Sequence, residues 1–458
     1  MVETLDSAAV AQLPLAPKNP LPYGQRLNAA RALATGPAVL RDAGGPVTRN
    51  VLGPKWLMPP VVVVTSPQGV RDVLSRTDAF VDRGTLPWMV AHRRLVGGNM
   101  LDLPHDEWLR RRRTIQPLFT RQSVTRFAGH MTEAAEQTTR RWSNKAEVDF
   151  AADIPAMTLR ALGLSILGQD LGARAESVGP AMRAAFKWVA DRATRPINAP
   201  WWVSTPKRRQ AQRATDAVRQ LGTEILRECR ADPGRDAPVV HALIAATDPQ
   251  TGRALSDDEI CDQLCEFMFA GHDTVSTVLT YALWALGRHR DLQDRVAAEV
   301  AGVGDHSLTP DDVARLGFSV RVLHEAMRLC PPGPSLPRMV MKDIDVAGYR
   351  VEAGTVVIVG AYAMHRDPAL WDDPLEFDPD RFSPENSKSR DRWQYVPFGG
   401  GPRACSGSHF VMLESTLALA TIIRATEIRS LDQDFPIATP FTLIPAGPIR
   451  AAVRTRAA

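Results

Sequence analysis

One stretch of the sequence, from Ser256 to Gly287, carries a helix pattern far longer than that of most soluble helices. Ser256 and Glu259 have the spacing of a capping box, and Leu255 and Ile260 stand in the positions of a hydrophobic staple. Gly287 supplies the stop signal. About thirty residues at ~1.5 Å each give a helix roughly 45 Å long, enough to cross a whole domain. We therefore expect this helix to run through a core, with the rest of the chain folded around it.

The composition supports a large soluble core. Of the 458 residues, 44% are hydrophobic and 23% are charged, and the net charge of +4 is too small to indicate nucleic-acid binding. The five cysteines are an odd number without paired spacing, which argues against a disulfide framework and favours a reducing compartment. The N-terminus lacks the basic start and apolar stretch of a secretion signal, and no apolar run is long enough to span a membrane. We predict a cytoplasmic protein without a membrane span.

Strand signals are confined to short stretches, and most of the chain has helical periodicity. The strand signals lie at residues 47–52, 60–65, 344–359 and 436–448. There is no internal repeat and no linker long enough to separate two cores. The sequence predicts a single, mainly α domain with small β-sheets over residues 46–458, on which a proline-rich lead-in, residues 1–45, packs.

The strongest chemical signal is the segment from Phe398 to Gly407, which combines three glycines, an arginine and a cysteine just before an apolar helix pattern. The glycines let the backbone pass closely under a flat ligand. Cys405 lies at a loop-to-helix junction, where backbone N–H groups and the helix dipole stabilise a thiolate, and Arg403 is placed to bind a carboxylate. A thiolate under a flat ligand, with a guanidinium at its edge, is how a heme iron is held through sulfur. An isolated cysteine would more often be structural, but the complete segment predicts Cys405 as the axial ligand of a heme iron.

This segment resembles the signature Phe-x-x-Gly-x-Arg-x-Cys-x-Gly of the cytochrome P450 monooxygenases. It matches that signature at Phe398, Gly401, Arg403, Cys405 and Gly407. The resemblance covers nearly the whole chain from about residue 47 onward. It implies the cytochrome P450 fold, in which a long central helix crosses over heme, and it implies that these five positions bind heme b, iron protoporphyrin IX.

A buried charge triad is the second motif. Glu325 and Arg328 are one helical turn apart and resemble the family's Glu-x-x-Arg pair, and Arg381 resembles its third member. Burying these charges costs several kcal/mol unless all of them are paired, so the triad must be complete. The resemblance implies a structural role, which is to lock the loop that carries Cys405.

The middle of the long helix resembles the family's oxygen-activation segment, in the run from Ala270 to Thr274. Gly271 is expected to leave room for a diatomic ligand, and the Thr274 hydroxyl to bond the Ala270 carbonyl and open the helix locally. Asp273 and Thr274 supply an acid and a hydroxyl that can relay protons, so we predict that they are catalytic. His272 is expected to be a bystander that points elsewhere.

Three further side chains are predicted to bind the heme propionates. Trp108 and Arg112 resemble the family's Trp-x-x-x-Arg, and Arg338 resembles an arginine downstream of the Glu-x-x-Arg helix. Guanidinium groups suit this task because they bind carboxylates bidentately. For the neighbouring arginines two readings stay open, a solvated basic face or a docking surface for an acidic electron donor; these are Arg110, Arg111 and Arg113.

The resemblance implies hydroxylation of a C–H bond with one oxygen atom of O2. The chain ends about fifty residues after Cys405 and shows no nucleotide-binding fingerprint, so electrons are expected from separate proteins. For a soluble bacterial member the resemblance implies a ferredoxin and its NAD(P)H-dependent ferredoxin reductase. We expect a monomer.

The resemblance also suggests which residues line the substrate pocket. They are Trp88, Met89, Phe267, Ala270, Leu336 and Ile444. All are apolar, so a lipophilic small molecule is expected, and the segment from Pro200 to Arg208 is similar to that of members that oxidise fatty acids and terpenoids.

Two alternatives remain: a peroxygenase driven by H2O2, and a heme-based sensor or carrier without turnover. Peroxygenase members of the family typically replace the acid–alcohol pair, which is intact here in Asp273 and Thr274. A sensor needs no such pair, so the sequence favours the monooxygenase.

Overall fold

The computed structural model describes residues 7–76, 80–195 and 198–456. The α-helices of these residues are α1 (Ser7–Gln12), α2 (Tyr23–Arg31), α3 (Gly36–Gly44), α4 (Pro67–Leu74), α5 (Pro87–Val96), α6 (His105–Ile115), α7 (Arg121–Val124), α8 (Ala128–Trp142), α9 (Phe150–Leu162), α10 (Ala175–Thr194), α11 (Pro206–Ala231), α12 (Pro238–Ala245), α13 (Asp257–Leu286), α14 (Arg290–Ala301), α15 (Gly317–Leu329), α16 (Ala361–Met364), α17 (Pro384–Ser387) and α18 (Ser408–Ala425). The strands are β1 (Val47–Asn50), β2 (Val61–Val64), β3 (Val81–Asp82), β4 (Glu147–Asp149), β5 (Leu336–Val340), β6 (Ile344–Val346), β7 (Tyr349–Val351), β8 (Val356–Val359), β9 (Thr426–Ser430), β10 (Ile437–Ala438), β11 (Ile444–Pro445) and β12 (Arg450–Thr455).

Helix α13 is the predicted long helix, and it runs through the main hydrophobic core. Its capping box is formed: the Ser256 hydroxyl accepts from the Glu259 N–H at 3.2 Å, and the Glu259 carboxylate accepts from the Ser256 N–H at 3.0 Å. Twenty of its 30 residues are buried, because α9, α11, α15 and α18 all pack against it. The helix therefore positions whatever chemistry its middle carries.

Four small sheets lie beside the helices. The largest has the strand order β1-β2-β8-β5-β3, in which β2 and β8 are parallel and the other pairs antiparallel. The others are β4-β12-β9 and the hairpins β6-β7 and β10-β11. Their small size agrees with the predicted mainly α fold. The sequence analysis missed five strands, β3, β4, β5, β9 and β12.

The described part of the lead-in, residues 7–44, forms α1 to α3 and packs on the rest of the chain. Its extended part pairs with β1, where the Asn19 N–H donates to the Arg49 carbonyl and the Arg49 N–H donates to the Pro17 carbonyl, each at 2.8 Å. Residues 1–6 of the predicted lead-in lie outside the described residues. The boundary between residues 45 and 46 stays a prediction.

One helical stretch, Phe150–Leu167, has the length and composition of a membrane span, with a mean hydropathy of 1.4. The sequence analysis did not single it out. Within the fold, 61% of this stretch is buried, as in the core helix of a soluble protein. It packs against α13 and α8.

Glu414 on α18 is buried, and neither of its carboxyl oxygens has a hydrogen-bond partner in the described part of the chain. Burial raises the pKa of this carboxyl well above its usual value. An acid whose folded-state pKa is raised destabilises the fold increasingly as pH rises above its unfolded-state pKa.

We expect Glu414→Gln to gain stability over the wild type between pH 5 and pH 8. The gain approaches about 1.4 kcal/mol per pH unit until the folded-state pKa is reached. Urea unfolding of both proteins at the two pH values measures it, with the exposed Glu385→Gln as the control. A stability difference that stays the same at both pH values would show that Glu414 is not buried unpaired.

Candidate active site

The segment from Phe398 to Gly407 folds into a tight loop that ends where α18 begins. The Cys405 N–H donates to the Phe398 carbonyl at 2.9 Å, which closes the loop. Gly399 and Gly401 have φ values of 70° and 67°, which favour glycine. At Gly401 a Cβ would also come within 1.8 Å of the Leu74 carbonyl oxygen. The glycines thus serve the shape of the loop and its contact with the end of α4.

Cys405 faces a hollow inside the protein. Its side chain is exposed, yet it is surrounded by enough protein that burial raises the pKa of the thiol. The Gly407 N–H and the guanidinium groups of Arg112 and Arg83 lower that pKa but do not offset burial. The predicted stabilisation by the helix terminus alone is therefore insufficient. A thiolate here needs the positive charge of a bound metal ion, which deprotonates a coordinating thiol.

A strip of α13 borders the same hollow. Ala270 is exposed and Glu266 and Thr274 are half-buried, whereas the residues between them are mostly buried. These three positions are four residues apart and so share one face of the helix. The charge of Glu266 raises the pKa of Cys405, which places this face across the hollow from the thiol.

A cluster of guanidinium groups lies at the rim of the hollow. Burial and the charges of Arg338 and Arg403 lower the pKa of Arg83 to about 9. Its Nη2 donates to the Met100 carbonyl at 3.0 Å, while its Nε is buried without a hydrogen-bond partner in the described residues. Several positive charges close together, one of them with a free N–H at Arg83 Nε, fit a ligand that carries carboxylates. The sequence analysis missed Arg83, since only the fold brings it to the other arginines.

The other predicted propionate ligands lie nearby. The Arg403 guanidinium stacks 4.1 Å above the Trp108 ring, and its Nη2 pairs with Asp82 at 2.8 Å. Arg403 was predicted to bind a carboxylate of the ligand, and in the structure it binds the carboxylate of Asp82. Arg112 donates from Nη1 to the Ala404 carbonyl at 2.9 Å, next to Cys405 in the loop. The cluster and the exposed thiol together fit a planar macrocycle with two acidic side chains.

The middle of α13 forms the hydroxyl contact predicted for the oxygen-activation segment, but not the predicted local opening, since α13 is an unbroken α-helix from Asp257 to Leu286. The Thr274 hydroxyl donates to the Ala270 carbonyl at 2.6 Å. Asp273 is buried and pairs with Arg183 of α10 at 3.0 Å, a partner that the sequence did not reveal. His272 is also buried, and burial lowers its pKa, so the ring is neutral at pH 7. Its Nε2 lies 3.7 Å from the Asp273 carboxylate.

Gly271 has a different reason to be glycine from the one expected. A Cβ there would come within 2.7 Å of Leu162 on α9. The absent side chain therefore lets α13 and α9 pack closely, which is a contact between helices and not room for a diatomic ligand.

The predicted charge triad is brought together in the interior. Glu325 and Arg328 are fully buried and form two hydrogen bonds of 2.7 Å, and Arg381 lies 3.4 Å from Glu325. Arg328 also donates to the His365 carbonyl at 2.7 Å, and the His365 ring accepts from the Val396 N–H at 3.1 Å. The triad is thus connected to the residues just before the Cys405 loop.

A family model described as Cytochrome P450 matches residues 38–450. The chain belongs to the cytochrome P450 family. It is similar to cyclooctatin synthase of Streptomyces melanosporofaciens, with 30% identity over 89% of this chain and 88% of that protein. It is also similar to cyclooctat-9-en-7-ol 5-monooxygenase of the same organism, with 27% identity over 79% of each. The crystal structure of the cytochrome P450DA heme domain has a TM-score of 0.81 at 26% identity, covering 97% of this chain and 98% of that one.

The predicted pocket residues of this cytochrome P450 do not all reach the hollow. Ala270 is exposed there, and Leu336 lies next to the loop, 3.9 Å from the Cβ position of Gly399. Phe267 is instead buried in the main core, with its ring edge-on to Phe119 at 5.1 Å. Phe267 and Glu266 are one residue apart, so their side chains point in directions about 100° apart around the helix. The residue that shares the hollow-facing strip with Ala270 is therefore Glu266 and not Phe267.

The remaining pocket residues come from α5 and the β10-β11 hairpin. Met89 is buried in a small apolar cluster that Trp88 and Phe441 also contact. Phe441 stacks on Phe186 of α10 at 4.7 Å, an aromatic contact that sequence reasoning missed. Ile444 is half-buried in β11.

The neighbouring arginines of α6 are neither a solvated basic face nor a free docking surface. Arg110 and Arg111 pair with Glu259 at 2.9 and 3.1 Å, and Arg111 is buried. Arg113 pairs with Asp248 at 3.0 Å. These ion pairs hold α6 against the start of α13 and against the loop that precedes it.

Proposed function

We propose that this cytochrome P450 monooxygenase hydroxylates a lipophilic small molecule, with electrons from a separate ferredoxin and ferredoxin reductase. The observation that carries the proposal is the exposed Cys405 thiol across the hollow from Ala270 and Thr274. A heme held there through sulfur supplies the activation of dioxygen for insertion of one oxygen atom into a C–H bond.

The chain's own residues would hold this heme. Cys405 would provide the sulfur ligand, and Phe398, Gly401 and Gly407 shape the loop that presents it. The rim cluster would bind the propionates and consists of Arg83, Trp108, Arg112, Arg338 and Arg403. Because these groups already crowd positive charge in the interior, a dianionic ligand would relieve their repulsion.

We assign the movement of protons to Asp273 and Thr274. The Thr274 hydroxyl donates to the Ala270 carbonyl, which leaves its oxygen able to accept from a water in the hollow. Asp273 is nearly buried, but its partner Arg183 is 34% exposed at the side chain. The Arg183 guanidinium does not release a proton, so we assign the transfer to the Asp273 carboxylate, which would take up a solvent proton at this pair and pass it through water to Thr274.

Replacing Thr274 with alanine is expected to uncouple the reaction. Without the hydroxyl, product per NAD(P)H should fall by about 100-fold, the lower end of the range for loss of a proton-transfer group, while H2O2 release rises. Product, reductant and peroxide measured in one assay give the result. Thr274→Ser keeps the hydroxyl and should keep most of the coupling. An unchanged product yield in Thr274→Ala would remove Thr274 from the relay.

A terpenoid is the substrate class that we favour over a fatty acid. The walls are apolar and aromatic: Trp88 and Met89, which the sequence predicted, share a cluster with Phe441, and Phe441 stacks on Phe186. A relative that matches four-fifths of the chain is named for a reaction on cyclooctat-9-en-7-ol. Both observations support a rigid, bulky lipophile. We propose that the enzyme works in the cytoplasm as a monomer.

Isotope labelling tests the proposed function against its alternatives. Purified enzyme with a surrogate ferredoxin system, NADPH and a terpenoid panel should place 18O from 18O2 in the product. A peroxygenase would instead take its label from H2(18O2) without reductant. A sensor or carrier would incorporate neither, and that result would overturn the proposal.

A further inference from the structure

Glu266 is an acid on the hollow-facing strip of α13 that the proposed chemistry does not use. It lies one turn before Ala270 and two turns before Thr274, and it is half exposed to the hollow. Protein surrounds it closely enough that burial raises its pKa to about 7. Its Oε2 accepts from the Gln263 side chain, and no hydrogen bond from the described residues reaches its Oε1. One acceptor of this carboxyl is therefore available to a ligand.

A second polar group lies within electrostatic reach of Glu266. His92 of α5 bonds Asp102 through Nδ1 at 2.6 Å, and both side chains are buried. The Nε2 of His92 is buried without a hydrogen-bond partner in the described part of the chain. The charges of Arg83 and His92 lower the pKa of Glu266, and the charge of Asp102 raises it. Three segments thus bring polar groups together near Glu266.

These polar groups border the aromatic wall assigned to the substrate. His92 stacks on Phe186 at 5.6 Å. Phe186 in turn stacks on Phe441 at 4.7 Å and meets Phe269 edge-on at 5.0 Å. Phe269 is three residues after Glu266 on α13. Residues three apart are neighbours on a helix surface, so we place Glu266 at the edge of this wall.

The residue types indicate what the ligand offers. Leaving a buried polar atom such as His92 Nε2 without a partner costs about 1–3 kcal/mol, which an apolar side chain there would avoid. Above pH 7 the Glu266 carboxyl is mostly ionised and can only accept, so the ligand must donate. An ammonium group would have to give up its hydration beside the aromatic wall, which costs more than the transfer of a neutral hydroxyl. A neutral hydroxyl remains.

We propose that Glu266 is a specificity-determining residue that accepts a hydrogen bond from a hydroxyl group of the substrate. The preferred substrate is then a lipophilic alcohol, a class narrower than the one in the proposed function, on which this inference rests. Glu266 and Thr274 are eight residues apart, or about 12 Å along the helix. The hydroxyl is held away from the C–H bond that reacts, so the enzyme acts on a substrate that another oxygenation or hydration has already supplied with an OH group.

Alcohols compared with their own methyl ethers isolate this hydrogen bond, because methylation removes the donor and keeps the skeleton. The probes are α-terpineol, cedrol and geranylgeraniol, each with its methyl ether, titrated into the holoenzyme while the shift of the Soret band is followed. We expect wild type to bind at least one alcohol about 10-fold more tightly than its ether, equivalent to ~1.4 kcal/mol. Glu266→Leu should reduce that preference to about 2-fold or less, and Glu266→Gln, which keeps an acceptor oxygen, should retain part of it.

Glu414→Gln is the matched control, because it removes a buried carboxyl on α18, outside the strip of α13 that carries Glu266, and it should keep the full preference. Reduced carbon monoxide spectra of all variants report whether each one still holds heme. The proposal is overturned if wild type shows no preference for an alcohol in any of the three pairs, or if Glu266→Leu keeps it. These titrations need no reductant, so they are independent of the labelling experiment. If labelled product forms but no alcohol is preferred over its ether, only this inference is rejected. If an alcohol is preferred but no labelled product forms, only the proposed function is rejected.

Discussion

Replacing Cys405 with serine is expected to abolish both the red-displaced Soret absorption of the reduced, carbon monoxide-treated protein and its O2-dependent product formation. A serine oxygen is a poorer electron donor to iron than a thiolate, and the displaced band reports anionic sulfur coordination. Loss of an outer contact to a metal site costs about 10- to 100-fold, so loss of the axial ligand should lower activity by more than that.

The spectrum is the decisive measurement because it does not depend on finding the substrate. Cys330→Ser is the matched control, since Cys330 is a buried thiol whose pKa burial raises to about 12, at the end of α15. It should keep the displaced band. If Cys405→Ser kept the band and Cys330→Ser lost it, the assignment of the axial ligand would be wrong.

The local parts of this site could be predicted from the sequence. The capping box of Ser256 and Glu259 fixed the start of α13, and the spacing of Glu325 and Arg328 predicted a pair on one helical face. The Thr274 hydroxyl bond to the Ala270 carbonyl follows from an i to i+4 spacing. Each of these features depends on residues within one helix, where the period of 3.6 relates sequence to space.

The groups that were missed come together only through the fold. Arg83 follows a two-residue strand, and Arg183 lies on α10, about 90 positions before its partner Asp273. No spacing rule links residues so far apart. The sequence could have indicated Glu266, because it is four residues before Ala270. The expectation of an apolar substrate pocket favoured Phe267 instead.

Two expectations failed because they assigned a function to a residue that packing explains. The side chain missing at Gly271 makes room for Leu162, and the arginines next to Arg112 are paired with acids. In both cases the residue type was a correct sign that the position is special. Which neighbour it meets was decided by the helix that packs against it.

The second large effect is expected at Arg328. This side chain forms five hydrogen bonds: two to Glu325 and one each to the carbonyls of His365, Pro374 and Glu376. Glu325→Ala would leave a buried guanidinium without its carboxylate, which costs about 3–5 kcal/mol, a large part of the 5–15 kcal/mol of a typical domain. We expect little folded, heme-binding protein. The measurement is the yield of protein with the displaced carbon monoxide band, together with the free energy of unfolding of what is recovered.

Arg328→Lys separates charge from geometry. Lysine keeps the positive charge beside Glu325, but its ammonium has three donors and cannot reach the carbonyls that the planar guanidinium joins. If the role of Arg328 were to balance the charge of Glu325 alone, Arg328→Lys would fold almost normally. We expect it to fail nearly as badly as Glu325→Ala, because the carbonyls it abandons include that of His365, whose ring holds the Val396 N–H just before the Cys405 loop. Arg450→Met, which breaks an exposed pair with Asp432, should change little and serves as the control. The pair on α15 therefore contributes to heme binding without touching heme, by holding the chain segment from which the loop emerges.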